Sequence, residues 1–97
     1  MTLSTRSDIQ ATVISVVSDT VRDWDIDLPN GIGPDTKLMD DLAFESIDVV
    51  QFAVAIEQAV GRKGLPFEKL FMKDGDYVDD VALKQVAEFL CRELGVN

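Results

Sequence analysis

The chain has 97 residues, 46% of them apolar, and 18 acidic against 9 basic side chains give it a formal charge of −9. That length makes one domain with a modest core, and the apolar share is well above that of solvated acidic tails. The charge argues against nucleic acid and anionic membranes as partners and favours basic patches on other proteins, drawn by forces that salt weakens.

The first predicted element is a helix over residues 7–24. Ile9, Val13, Val16, Val17, Val21 and Trp24 recur at helical spacing, and Ser7 with Asp8 suits its N-terminus. Residues 25–45 follow as a long connection punctuated by Pro29-Asn30-Gly31 and Gly33-Pro34. A loop that long in a small domain tends to be functional. Leu28, Ile32, Leu38, Leu42 and Phe44 are expected to pin it to the helices, with one short helical turn over 36–39.

A second helix is predicted over 46–60, ending at Gly61. On a wheel of about 100° per residue its apolar side chains divide into two stripes. Val49, Phe52, Ala53, Ile56 and Val60 are assigned to the core, while Ile47, Val50 and Val54 fall on nearly the opposite side. That second stripe either faces solvent or makes extra core contact with the long loop. Pro66 suits the start of a short third helix with Phe67, Leu70 and Phe71 inward, and residues 73–76 make a turn. The last helix is predicted over 81–94, burying Ala82, Leu83, Val86, Phe89 and Leu90, with Gly95 after its end. There is no strand alternation and no internal repeat. The expected fold class is all-α, a single-domain bundle of three main helices plus one short one, with the long loop between the first and second.

Absences limit the chemistry. The chain contains no histidine, which removes a Ser-His-Asp triad, a Cys-His pair and His-ligated zinc. Cys91 has no second cysteine for an internal disulfide, a usage that fits a reducing cytoplasm. It lies in the last helix away from the centre of the buried stripe and reads as structural or incidental rather than reactive. No signal segment or membrane-length apolar run is evident. Asp74-Gly75-Asp76 hints at a calcium loop, but the glycine and the bidentate glutamate that such a loop needs are replaced by Asp79 and Gln85. Gly31-Ile32-Gly33 lacks a third glycine and a preceding strand, so it reads as a turn. No catalytic set and no metal-ligand set emerges, so an enzyme is not expected.

Ser46 is the candidate site residue. It stands where the acidic stretch from Asp40 to Glu45 gives way to an apolar helical run. On its own, a serine there reads as an N-cap worth about 1 kcal/mol. With no histidine and no nearby lysine as base it is no autonomous nucleophile. Its chemical role would be to be modified by another enzyme. A phosphodiester on that oxygen would sit at the positive end of a helix. The neighbouring carboxylates Glu45 and Asp48 oppose this by about 1 kcal/mol or less each, and make better sense as a recognition rim for a basic partner.

The stretch from Thr36 through Asp40-Asp41-Leu42-Ala43-Phe44-Glu45-Ser46-Ile47-Asp48 to Val50 resembles the prosthetic-group site of acyl carrier proteins, and the likeness continues through Phe52, Ala55, Ile56 and Glu57. The resemblance covers nearly the whole chain in its helix arrangement. It implies that Ser46 carries a phosphopantetheine arm transferred from coenzyme A by a phosphopantetheinyl transferase. Acyl groups would be held on the arm as thioesters for fatty acid, polyketide or modified-lipid synthesis. It further implies that Asp40, Asp41, Glu45, Asp48 and Glu57 form an acidic recognition surface, with Ile47, Val50 and Val54 as its apolar stripe. The partners would be acyl-transferring and chain-extending enzymes with basic docking patches, and the protein a cytoplasmic monomer.

Departures from the pattern are specific. Glu45 replaces the usual aspartate, and Ala43 stands where glycine is common, which is expected to hold the loop at negative φ. Gln51 and Gln58 occupy positions often acidic, and residues 61–80 form a longer segment than in housekeeping members. Within that segment, Leu65-Pro66-Phe67-Glu68-Lys69 and Asp74-Gly75 resemble features of specialised carriers. Phe52, Ile56 and Phe89 would either line an acyl cavity or pack tight without one. Two other readings stand beside the carrier: an unmodified helical adaptor that binds through Ile47, Val50, Val54 and the acids, and a peptidyl carrier for nonribosomal assembly, against which Ala43-Phe44 argues.

Overall fold

The computed structural model describes residues 5–24 and 31–96, with the side chains of Lys73 and Tyr77 set aside. Leu28 and the Pro29-Asn30 part of the expected turn lie outside the described residues. The elements in chain order are α1 (Arg6–Thr20), α2 (Ser46–Val60), the short α3 (Glu68–Phe71), strands β1 (Met72–Lys73) and β2 (Asp76–Tyr77), and α4 (Leu83–Leu94). Three main helices and one short one form the bundle, α1 packing against both α2 and α4 and α3 against α4.

α1 starts one residue earlier than the sequence suggests, because Thr5 and not Ser7 caps it. Thr5 Oγ1 accepts the Asp8 N–H at 3.1 Å, and the Asp8 carboxylate accepts the Thr5 N–H at 3.2 Å, a reciprocal box that satisfies two end donors. The helix stops at Thr20, short of Trp24, but Val21 and Trp24 still turn inward. Ile9, Val13 and Val17 are fully buried, as their spacing predicts.

α2 has the predicted bounds and ends on Gly61, whose φ of +71° is the left-handed cap that only glycine adopts cheaply. Phe52 and Ile56 are fully buried, whereas Val49, Ala53 and Val60 are only half-buried at the margin of the core. α4 begins at Leu83, two residues later than predicted. The backbone of Val81 and Ala82 is taken up by the long loop instead: Leu38 N–H donates to Val81 O at 3.0 Å, and Leu83 N–H to Thr36 O at 2.9 Å. The Gln85 side chain then accepts the Ala82 N–H at 2.7 Å and so starts the helix. All five residues of its predicted stripe are buried. So is Cys91, at 1% exposure, a correction to its expected place away from the centre of that stripe, since it lies one helical turn beyond buried Ala87.

Between α3 and α4 the expected turn over 73–76 is the tip of a two-residue antiparallel hairpin, Met72 opposite Tyr77 and Lys73 opposite Asp76. Asp74 and Gly75, at φ +55° and +86°, are both left-handed, the pattern that turns a strand back on itself in two residues. Strands this short leave no alternation to find in a sequence. Ring contacts tie the layers together. Phe67 stacks on Phe71 and tilts against Phe89 with centroids 5.2 Å apart, while Phe44 touches both Trp24 at 5.3 Å and Phe52 at 6.0 Å.

Candidate functional site

The acidic loop is built, not slack. Its expected short turn lies slightly later than residues 36–39, with Asp41 and Leu42 N–H both reaching Lys37 O at 3.1 and 3.2 Å, while the Asp41 carboxylate accepts the Lys37 N–H at 2.8 Å. Two nested bonds close it, Ala43 N–H to Met39 O at 3.0 Å and Phe44 N–H to Leu38 O at 2.9 Å. That closure requires a left-handed residue, and Ala43 supplies it at φ +56°. The expectation of a negative φ is therefore overturned: hydrogen bonding and the burial of Leu42 and Phe44 on either side outweigh a strain of about 1 kcal/mol. Ala43→Gly is expected to raise stability by about 0.5 kcal/mol and Ala43→Val to lower it by about 1 kcal/mol, both read by urea unfolding.

Asp80, three residues before the start of α4, anchors this loop. Its Oδ1 accepts the N–H groups of Met39 at 2.9 Å and Val81 at 2.8 Å, and its Oδ2 that of Asp40 at 3.0 Å. Partial burial pushes its carboxyl pKa up, but the three backbone donors together with nearby Lys37 outweigh that and hold it below the ordinary value. A second tie is the exposed ion pair of Lys84 with Asp35 at 3.0 Å, whose carboxylate raises the lysine's pKa. Solvent exposure leaves that pair little energetic weight.

Ser46 is exposed, and it does not cap α2 as the sequence suggests. Glu45, in extended conformation at φ −99° and ψ 175°, is the residue before the helix, and Ser46 is its first helical residue. The cap interaction comes from Asp48, whose carboxylate accepts the Glu45 N–H at 2.8 Å. Ser46 is one position past the cap, and its hydroxyl makes no hydrogen bond to the described residues. It stands free at the end of α2 where the first backbone N–H groups lack intrahelical acceptors.

The other candidate residues divide by position. Ile47, Val50 and Val54 are 60%, 59% and 48% exposed, which settles the open question of their stripe in favour of solvent. Asp40 and Asp41 are exposed on the loop and Asp48 is half-buried at the start of α2. Glu57 is eleven residues on from Ser46, about 16 Å along the axis. Its Oε2 accepts the Leu65 N–H at 2.9 Å, so it also fixes the segment between α2 and α3.

Beside Ser46 opens a groove of about 750 Å³ between α2, α3 and the hairpin. Phe44, Val49 and Ala53 form one wall and Phe67, Phe71, Met72 and Val78 the other, with Glu45, Ser46, Val50 and Val54 also on its surface. Phe52, Ile56 and Phe89 are not part of it; they are packed at 0–1% exposure. Sequence reasoning missed Met39, Met72, Val78, Glu68 and Asp79, which also line the groove. The place of Met72, Val78 and Asp79 depends on the hairpin, whose sequence signal is Asp74-Gly75.

Among the described residues no cluster of three or more potential metal ligands occurs, and no helix is long and apolar enough to cross a membrane. Comparison with protein-family models and with curated proteins finds no match to this chain.

Proposed function

We propose that the protein is a non-enzymatic acyl carrier, with Ser46 the attachment point of a phosphopantetheine arm taken from coenzyme A. The observation that carries this reading is the uncommitted, exposed Ser46 hydroxyl at the first position of α2, on the lip of an apolar groove. The residues fit the group: the oxygen is free to be esterified, and the helix end favours the phosphodiester charge. When attached, the arm supplies a thiol that holds acyl groups as thioesters. The chain itself has no histidine to deprotonate Ser46, so the base belongs to a separate transferase.

The remaining residues act by presenting this point to partners. Ile47, Val50 and Val54 form an exposed apolar strip on α2, with the carboxylates of Asp40, Asp41 and Glu45 on the loop before it and Asp48 in its first turn. Such a surface suits partners that offer a basic rim around an apolar contact. The bonds to Asp80 and Asp48 hold the loop and the helix end in fixed relation, which lowers the ordering cost of each encounter.

Incubation with coenzyme A, Mg²⁺ and a promiscuous transferase is expected to add the mass of one phosphopantetheine group, mapped to Ser46 by peptide mass spectrometry. Ser46→Ala is expected to keep the helical circular dichroism and gain no mass. Folded protein that stays unmodified while a control carrier is loaded sinks the proposal. The exposed strip also favours a second reading, an adaptor that binds partners without modification. In that case Ser46→Ala leaves the function in its native host intact.

A further inference from the structure

Three carboxylates meet where the loop turns toward Ser46, and they differ in what they do. Asp40 and Asp41 are exposed, whereas Asp80 is half-buried and commits both oxygens to backbone. Its Oδ1 takes the N–H groups of Met39 and Val81 and its Oδ2 that of Asp40. Among the described residues it is the one side chain from outside residues 33–44 that bonds to their backbone. Met39 passes the constraint on. Its carbonyl accepts the Ala43 N–H at 3.0 Å, and Ala43 is held left-handed at φ +56°, three residues before Ser46. A left-handed alanine returns to negative φ once its neighbours release it, so the anchor at Met39 bears on the path by which the chain enters α2.

From this we infer that Asp80 is a positioning residue for the modification of Ser46: it fixes the Asp40-Asp41 pair, and the chain from Met39 to Ser46, in the arrangement that a basic docking face of the phosphopantetheinyl transferase meets. The reaction itself rests on the carrier reading. Without the anchor the two acids remain, but over a wider set of positions. Their attraction to the transferase must then first offset the entropy of ordering them. Docking contacts of this kind act equally before and during the transfer step, so losing them weakens the encounter without slowing the chemistry. The effect falls on KM for this protein and spares kcat.

Intact-mass kinetics of transfer from coenzyme A to the full chain by a promiscuous transferase measure this, at a temperature where circular dichroism shows each variant folded. Asp80→Asn is expected to raise KM about fivefold, with kcat within about twofold. Asp80→Glu keeps the charge but moves the carboxylate by one methylene, and is expected to share the raised KM. Asp76→Asn removes an exposed charge from β2 that makes no bond to residues 33–44, and is expected to leave KM within about twofold. Amide hydrogen exchange reads the relay without the transferase. In Asp80→Asn it is expected to speed up about tenfold at Ala43 and Phe44, while Val13 and Phe52 stay as they are. An unmoved KM in Asp80→Asn overturns the inference, and so does a loss confined to kcat. Asp80→Glu behaving as wild type, or Asp76→Asn matching Asp80→Asn, leaves charge alone as the cause and overturns it equally. So does exchange that is unchanged at Ala43 and Phe44, or that speeds up throughout the helices. Wild-type protein that takes up no phosphopantetheine sinks the carrier reading and this inference with it, whereas modified wild type with an unmoved KM in the variant sinks this inference alone.

Discussion

Replacing Phe44 with alanine is expected to destabilise the protein by about 4 kcal/mol and to lower its thermal midpoint by about 20 °C. The ring is 6% exposed and bridges two others, Trp24 at the end of the first helical segment and Phe52 in α2. Removing it leaves a void between elements that cannot easily close, because the backbone on both sides is held. Phe44 N–H is bonded to Leu38 O, and α2 begins two residues later. Against a total of about 5–15 kcal/mol for a domain, that loss is a large fraction. Val54→Ala on the exposed strip serves as the control and is expected to stay within about 0.5 kcal/mol. Urea unfolding followed by circular dichroism measures both. A Phe44→Ala loss below about 1 kcal/mol would mean that the loop is not packed as described.

Asp80→Ala is the second large effect, expected at about 2 kcal/mol. Hydrogen bonds to a charged acceptor are each worth about 1.5–3 kcal/mol when dry, but Asp80 is only half-buried, and water compensates part of the loss at Asp40. Asp80→Asn is milder, about 1 kcal/mol, because it retains one acceptor oxygen and turns an amide toward another donor. The pH dependence has a fixed sign. The folded-state pKa of Asp80 lies below its ordinary value of 3.8. The carboxylate therefore contributes fully above the unfolded pKa, and the contribution is lost as pH falls through the folded one. The stability gap between the wild-type protein and Asp80→Asn should thus be constant from pH 7 to 5 and shrink below about pH 4. A gap that widens on acidification would contradict the three-bond anchor.

These two residues also mark what can be read from the chain and what cannot. The bounds of α2 are legible, since residues 46–60 combine an acidic entry, an apolar helical period and a terminal glycine. Angular position set Ile47, Val50 and Val54 apart from the core stripe but left contact with the long loop open, and only the fold shows them exposed. The burial of Cys91 has a signal in its four-residue spacing from buried Ala87, which widens the stripe beyond Ala82, Leu83, Val86, Phe89 and Leu90. The N-cap expected at Ser46 falls one position earlier, on Glu45, whose N–H Asp48 accepts. Asp80 left no local trace, since its partners Met39 and Asp40 lie about forty positions away and are brought close only by the packed fold. Ala43 is the opposite case. Its identity pointed away from a left-handed conformation, and closure of the loop imposed one.

Trp24 is the chain's sole tryptophan, and its indole rests on Phe44, one of the side chains bordering the cleft. Nature has thereby placed an intrinsic fluorophore one ring away from the place where cargo would arrive. Its emission reports on that neighbourhood without any label or competing indole signal.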